Sequence, residues 1–315
     1  MKKTAFIFPG QGSQFVGMGK DLYDNFESAK TVFDKANNIL GKDISKLCFE
    51  GPEEELKQTI NTQPAIVAMS IAALEAMKSE LNITADYTAG HSLGEYCAMY
   101  ASGVMNLENT LLAIQKRAEL MSSVKGGTMA AVLNASDEQL QAGLEEGRKV
   151  GYVDISNYNS PVQVVITGDE NAVKKASDYM LENGVKRVVP LAVSGAFHSK
   201  YMEKAGSEFN EFVKELPLNN AKITVITNVD AQSTTDTEDF RAKMPKQIYS
   251  SVHWTQTIQK MVSEGVDTFI EIGPGKILAG LNKKIVPEAV VYNIFDKESL
   301  YNTINLLKEN LAEIK

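Results

Sequence analysis

Thr88-Ala89-Gly90-His91-Ser92-Leu93-Gly94-Glu95-Tyr96 contains a Gly-x-Ser-x-Gly pentapeptide with Ser92 at its centre. Tyr87, Thr88 and Ala89 form a short β-prone piece before the serine, and residues 93–101 after it lack proline and read as a helix. A serine on so tight a strand-to-helix turn has its hydroxyl held clear of the backbone. Glycines on either side let the turn close and let another chain approach. The amide of Leu93 then points at whatever the serine attacks, and the helix start adds positive partial charge there. This is the geometry of an activated nucleophile with half an oxyanion hole. A glycine-rich turn with a bystander serine would spell the same five letters. The rest of the chain therefore has to supply a base, a second oxyanion donor and a substrate anchor.

On either side of the turn, strands alternate with helices. Residues 4–8 (Thr-Ala-Phe-Ile-Phe) read as a buried strand running into Pro9-Gly10-Gln11-Gly12-Ser13-Gln14. This loop is not a phosphate cradle. No Gly-x-Gly-x-x-Gly occurs, and Gly19-Lys20 has Gln14 where a P-loop needs glycine. Its reading is a loop whose backbone amide at Gln11 faces the site. Helices are expected over 21–40, from Pro52-Glu53-Glu54-Glu55, over 63–80 and over 107–122, the last with Arg117 among apolar neighbours.

The pattern changes after Gly126-Gly127. Strands at 128–133, 153–158, 163–168 and 186–191, with helices at 137–146 and 170–182, give the order β-α-β-β-α-β. Beyond it come a loop at 194–199, a helix at 200–214, a strand at 223–228, helices at 239–246 and 255–264, a strand at 268–272, the turn Gly273-Pro274-Gly275, a helix at 276–284, a strand at 289–294 and a final helix at 298–314. The expected class is α/β. A larger α/β-hydrolase-like domain (1–126 and 194–315) has a parallel sheet covered on both faces, and a smaller ferredoxin-like unit (127–193) is inserted into it.

Composition narrows the function. The chain has 315 residues, 43% of them hydrophobic, with a net charge of −8 and a pI near 5.1. That acidity and the lack of long basic runs argue against a nucleic-acid partner. Cys48 and Cys97 are far apart and form no metal or redox spacing, so they read as buried thiols in a reducing cytoplasm. Met1-Lys2-Lys3 is basic, but the apolar run after it stops at Pro9-Gly10, too short for a signal peptide. The longest apolar segment, 65–77, contains Ser70 and Glu75 and falls short of a membrane span.

A serine hydroxyl needs a base near neutral pKa, and three histidines are available. His91 adjoins Ser92, and neighbouring side chains on an elbow diverge, so it is a poor base that supports the turn instead. His253, in Val252-His253-Trp254, has nothing polar in sequence to orient it. His198 lies in a glycine-containing loop at the seam where the inserted unit rejoins the larger domain, a usual place for a cleft. Histidine after serine is also the α/β-hydrolase chain order. Asp154 and Asp169 lie between them, but neither sits in a loop at a strand end of the main sheet, which counts against a plain esterase. Arg117 either snorkels to solvent or grips a carboxylate with two parallel hydrogen bonds.

Five segments together then carry a resemblance over essentially the whole chain. They are Phe8-Pro9-Gly10-Gln11-Gly12-Ser13-Gln14, Gly90-His91-Ser92-Leu93-Gly94-Glu95, Gln115-Lys116-Arg117, Gly195-Ala196-Phe197-His198-Ser199 and Glu271-Ile272-Gly273-Pro274-Gly275. The chain resembles the malonyl-coenzyme A:acyl-carrier-protein transacylases of bacterial type II fatty-acid synthesis. The resemblance implies Ser92 as acyl-accepting nucleophile, His198 as base, the amides of Gln11 and Leu93 as oxyanion hole, and Arg117 as anchor for the malonyl carboxylate. It implies that the main-chain carbonyl of Gln247 orients the histidine in place of an acid. Phe197 fits malonyl selection by crowding an α-methyl branch, and Met121, Asn159 and Val193 fall along the pocket. Ser250-Ser251 departs locally from the family's common Asn-Pro.

Malonyl-coenzyme A and acyl carrier protein are the implied partners. No cofactor, metal or membrane is implied, and a monomer is expected. Because carrier proteins are acidic like this chain, docking calls for a local basic patch, with Lys174, Lys175, Lys186, Arg187, Lys283 and Lys284 as candidates. Two other readings share the elbow: a serine esterase or thioesterase, and a non-catalytic synthase subunit.

Overall fold

The computed structural model describes residues 3–193 and 195–312. Ser194, which opens the loop read before His198, and positions 313–314 of the last expected helix lie outside the described residues. The strands are β1 (Lys3–Phe8), β2 (Tyr87–Gly90), β3 (Thr128–Leu133), β4 (Val153–Ser160), β5 (Gln163–Gly168), β6 (Arg187–Pro190), β7 (Thr224–Ile226), β8 (Ser233–Thr234), β9 (Val266–Ile272) and β10 (Val290–Ile294). They form two sheets, one of order β10-β9-β1-β2-β7-β8 and one of order β4-β5-β3-β6.

β1 shows why the larger sheet is covered on both sides. Successive side chains of a strand point to opposite faces. Phe6 and Phe8 enter the main apolar cluster, whereas Ala5 and Ile7 enter a second one with Trp254, Ile258 and Phe269. With both faces buried, the strand has no polar alternation, and it pairs in parallel with β2 and β9. One edge departs from the expected all-parallel sheet. Ser233–Thr234 runs antiparallel to β7, with Val225 opposite Thr234. A two-residue strand without an apolar run carries no periodic signal, so the sequence did not reveal it.

Helix boundaries differ from expectation where one residue overrides propensity. The run expected over 21–40 is two helices, Lys20–Asn25 and Glu27–Leu40, because Phe26 takes an extended backbone (φ −131°) and buries its ring. The long buried helix is Thr59–Glu80, starting four residues before the Gln63 start expected from sequence and including Pro64. In the turn before it, the Thr62 hydroxyl lies 2.5 Å from Leu56 O and 3.0 Å from Gln58 O. A helix Ile44–Glu50, capped by Asp43, was not anticipated, and the helix from Pro52 is a single turn, Glu53–Leu56.

All neighbouring strands of the smaller sheet are antiparallel. Ala130 and Val132 of β3 pack with Leu140, Leu144, Ala172, Val173 and Met180 of helices Asp137–Arg148 and Glu170–Glu182. Met129 and Ala131, on the other face, join the main cluster. The edge strand β4 is stitched to the segment after Gln247. Tyr158 N donates to Val252 O at 2.9 Å and Val252 N to Ser156 O at 2.8 Å, while Ser251 Oγ reaches Ile155 O at 2.7 Å. No helix of the described residues is long and apolar enough to cross a membrane.

Candidate active site

Ser92 sits between β2 and the helix Gly94–Ala101 with φ +53°, in the left-handed region that a serine adopts only under constraint. The flanking glycines are obligatory. A Cβ on Gly90 would lie 1.8 Å from the carbonyl carbon of Gly94, and one on Gly94 would lie 2.2 Å from Phe8 O. Both peptide groups of the serine are held by distant side chains. Ser92 N donates to Asn228 Oδ1 at 2.8 Å, and Ser92 O accepts from Gln247 Nε2 at 2.7 Å. Asn228 Nδ2 also donates to Gly90 O at 2.7 Å, and its backbone N–H donates to Glu95 Oε2 at 2.6 Å. The elbow is thus clamped from the segment just past β7.

His198 faces Ser92, with Nε2 2.8 Å from Oγ. Its Nδ1 lies 2.9 Å from Gln247 O and 3.1 Å from Ser250 O. Carbonyl oxygens only accept, so Nδ1 carries the proton and Nε2 presents a lone pair to the serine. The Gln247 carbonyl expected from sequence is there, and Ser250 adds a second acceptor that depends on backbone placement rather than on side-chain identity. Burial first, then the positive charge of Arg117, lowers the imidazole from its ordinary value to about 3, so it rests neutral.

Arg117, on the helix Leu107–Ser123, is 1% exposed, so the snorkelling reading is excluded. Nη1 donates to Gln63 Oε1 at 2.6 Å, and Nη2 donates to Gln247 Oε1 at 2.9 Å and to Ser92 Oγ at 3.0 Å. The guanidinium also stands 5.7 Å over the Tyr96 ring. Its buried Nε has no acceptor among the described residues. Leaving such a buried donor unpaired costs about 1–3 kcal/mol. Glu95 lies behind the elbow, and burial raises its carboxyl to about 7 despite the Asn228 amide and Arg117.

These groups open on a cavity of about 430 Å³. Gln11, Leu93, Phe197, Met121, Asn159 and Val193, all singled out in sequence, line it together with Ser92, Arg117 and His198. The backbone amides of Gln11 and Leu93 have no acceptor among the described hydrogen bonds. His91 lines the cavity too, with Nε2 2.8 Å from Asn159 Oδ1 and its ring tilted against Trp254. His253 stacks on Tyr158 at 5.2 Å and does not line the cavity. Glu271 is also outside it, accepting from Leu278 N and Ala279 N to anchor the helix Ile277–Ile285. Asp169 accepts from Tyr152 N and Tyr201 Oη, not from the imidazole.

Asn228, Gln63 and the Ser250 carbonyl were not found from sequence. The one available signal for Asn228 was its place after the carboxyl end of a parallel strand, where sites of α/β sheets collect.

The acyl transferase domain family matches over residues 5–293. The chain is 44% identical over 313 residues to the malonyl CoA-acyl carrier protein transacylase of Bacillus subtilis (strain 168), covering 98% of each. It superposes on the crystal structure of the malonyl CoA-acyl carrier protein transacylase from Clostridium perfringens with a TM-score of 0.93 at 38% identity, over 99% of each chain. A malonyl-transacylase solved in complex with its type II PKS acyl-carrier protein matches with a TM-score of 0.92 at 34% identity, over 95% of this chain and 98% of that one.

Proposed function

The chain belongs to the acyl transferase domain family and has the activity of a malonyl-coenzyme A:acyl-carrier-protein transacylase; we propose that Ser92, His198 and Arg117 carry it. The supporting observation is that one oxygen, Ser92 Oγ, touches both the lone-pair nitrogen of His198 and the guanidinium of Arg117. A cation in contact with the nucleophile suits an acyl group whose second carboxylate is one methylene away from the reacting carbonyl.

In the first step the malonyl carboxylate takes the Arg117 guanidinium through charge-assisted hydrogen bonds. His198 Nε2 accepts the Ser92 proton as Oγ forms a bond to the thioester carbon, and the amides of Gln11 and Leu93 hold the oxyanion. The carbon–sulfur bond breaks, coenzyme A leaves with the proton from Nε2, and malonyl-serine remains. In the second step the phosphopantetheine thiol of the carrier gives its proton to Nε2 and attacks the ester. Ser92 recovers its proton as the malonyl thioester departs. The Gln247 and Ser250 carbonyls do the work of a triad acid, since each accepts the Nδ1–H and supports the imidazolium. Phe197, buried at the cavity wall, crowds an α-methyl branch.

The same reading makes the larger sheet a hydrolase-like catalytic domain (1–126 and 194–315) and the antiparallel unit (127–193) a ferredoxin-like insertion; the strand order β4-β5-β3-β6 supports the latter. It assigns the chain to the cytoplasm, as a monomer. Lys283 and Lys284, in the exposed last turn of their helix, are better docking residues than Lys174, which pairs with Asp178.

Arg117→Ala tests the assignment. Two charge-assisted hydrogen bonds of about 1.5–3 kcal/mol each correspond to a loss of roughly 100- to 10,000-fold in acylation by malonyl-coenzyme A. Acetyl-coenzyme A should lose far less. An equal loss for both donors would show that Arg117 is not the carboxylate anchor.

A further inference from the structure

Gln63 is 1% exposed and lies on the cavity wall between Arg117 and Met121. Its amide orientation is settled by chemistry. A guanidinium only donates, so the oxygen faces Arg117 Nη1, at 2.6 Å, and the NH2 group must face the other way. There its acceptor is the Met121 thioether sulfur at 3.5 Å, a weak one on a flexible side chain. An amide donor buried at a cavity wall and given only a sulfur is under-satisfied. The adjacent Arg117 Nε has no acceptor at all. Two under-used donors thus flank one cation, while every fixed acceptor nearby is committed: Gln63 Oε1 and Gln247 Oε1 to Arg117, and Ser92 O to Gln247 Nε2.

We propose that Gln63 is a second carboxylate-binding residue, with Nε2 donating to the malonyl carboxylate that Arg117 anchors, so that acyl selection is read by an arginine–glutamine pair. This rests on the malonyl-serine reading above. Gln63 has two tasks in it. Oε1 fixes the guanidinium plane, and Nε2 replaces the sulfur contact with a charge-assisted bond once the anion arrives. The pair also distinguishes an anion from its neutral amide. A carboxylate offers only acceptors to Arg117 and to Gln63 Nε2, whereas a terminal carboxamide would set its own NH2 group against one of these donors.

The test is Gln63→Glu, assayed by acyl-enzyme formation with malonyl-, malonamyl- and acetyl-coenzyme A. The new carboxylate keeps an acceptor on Arg117 but reverses the other half of the amide from donor to acceptor. Malonyl acylation should fall at least about 100-fold, a deficit matching one or two charge-assisted bonds. Malonamyl acylation, whose NH2 group now meets an acceptor, should rise relative to malonyl by a similar factor, and acetyl acylation reports how far the change reaches Ser92 itself. A parallel fall for malonyl and malonamyl donors would reduce Gln63 to a support for Arg117 and overturn the proposal. Should the variant fold poorly, a crystal structure of the parent malonyl-enzyme decides. Nε2 within about 3.2 Å of a carboxylate oxygen upholds the proposal, and a persisting sulfur contact with the carboxylate out of reach overturns it. Failure of the underlying reading looks different: no donor would acylate Ser92 in the parent.

Discussion

The two sheets bury different chemistry. Around the carboxyl ends of β2 and β7 the larger sheet buries Glu95, Arg117, His198, Asn228 and Gln247, each almost fully enclosed and hydrogen-bonded. The smaller sheet packs mainly apolar residues on both faces, with Ala130, Val132 and Ile166 towards its own helices and Met129, Ala131 and Val165 towards the larger unit, and its buried polar side chains, Ser156, Asn157, Asn159, Ser160 and Thr167, are confined to β4 and β5. It gives the site a wall and polar contacts to lining residues, of Asn159 with His91 and of Thr167 with the Phe197 carbonyl. Polar networks demand fixed distances, and each buried partner removed leaves another stranded. Apolar walls tolerate volume-conserving change. The nucleophile should therefore be sensitive to the larger sheet's polar clamps and forgiving of the smaller sheet.

The strongest challenge to that contrast is Asn228→Ala. It strands Ser92 N and Gly90 O, two buried backbone groups. At about 1–3 kcal/mol for each, unfolding in urea should show a stability loss of roughly 2–6 kcal/mol, and the acylation rate should drop by roughly 10- to 100-fold as the elbow relaxes. Activity within twofold of the parent would mean that the turn holds itself. Next in size is the pH response. Only neutral His198 can accept the serine proton, and burial with Arg117 holds the imidazole at about 3. The acid limb of kcat/KM for acetyl-coenzyme A should thus lie well below the ordinary histidine value of 6.5. Removing the cation in Arg117→Ala favours the protonated form, so the limb should move to higher pH. A limb near 6.5 in the parent, or one unmoved by the substitution, would contradict the electrostatics. The smallest effect is expected from the smaller sheet. Asn159→Ala removes one hydrogen bond to a neutral ring, worth about 0.5–1.5 kcal/mol, and should slow acylation by roughly 2- to 10-fold. A loss as large as that of Asn228→Ala would erase the distinction between the sheets.

What the sequence disclosed follows the same division. Ser92, His198 and Arg117 were legible because each is an unusual residue in its local context: a serine between two glycines, a histidine at a seam, an arginine on an apolar helix face. The β-α-β-β-α-β order of the smaller sheet was legible from alternation and turn residues, and β5 and the helix Glu170–Glu182 have the expected limits. Asn228 and Gln63 were hidden. Their partners lie 136 and 54 residues away along the chain, and neither residue is unusual among its neighbours. β8 and the break at Phe26 were hidden because a two-residue strand and a single extended residue leave no period to read.

The central claim is that one hydroxyl carries the malonyl group between two thiols. Intact-protein mass spectrometry after brief mixing with malonyl-coenzyme A tests it most directly, with Ser92→Ala run alongside. The parent chain should gain one malonyl group that disappears when carrier thiol is added, and Ser92→Ala should gain none. Stoichiometric labelling of Ser92→Ala, or a parent adduct that the carrier thiol cannot discharge, would contradict it.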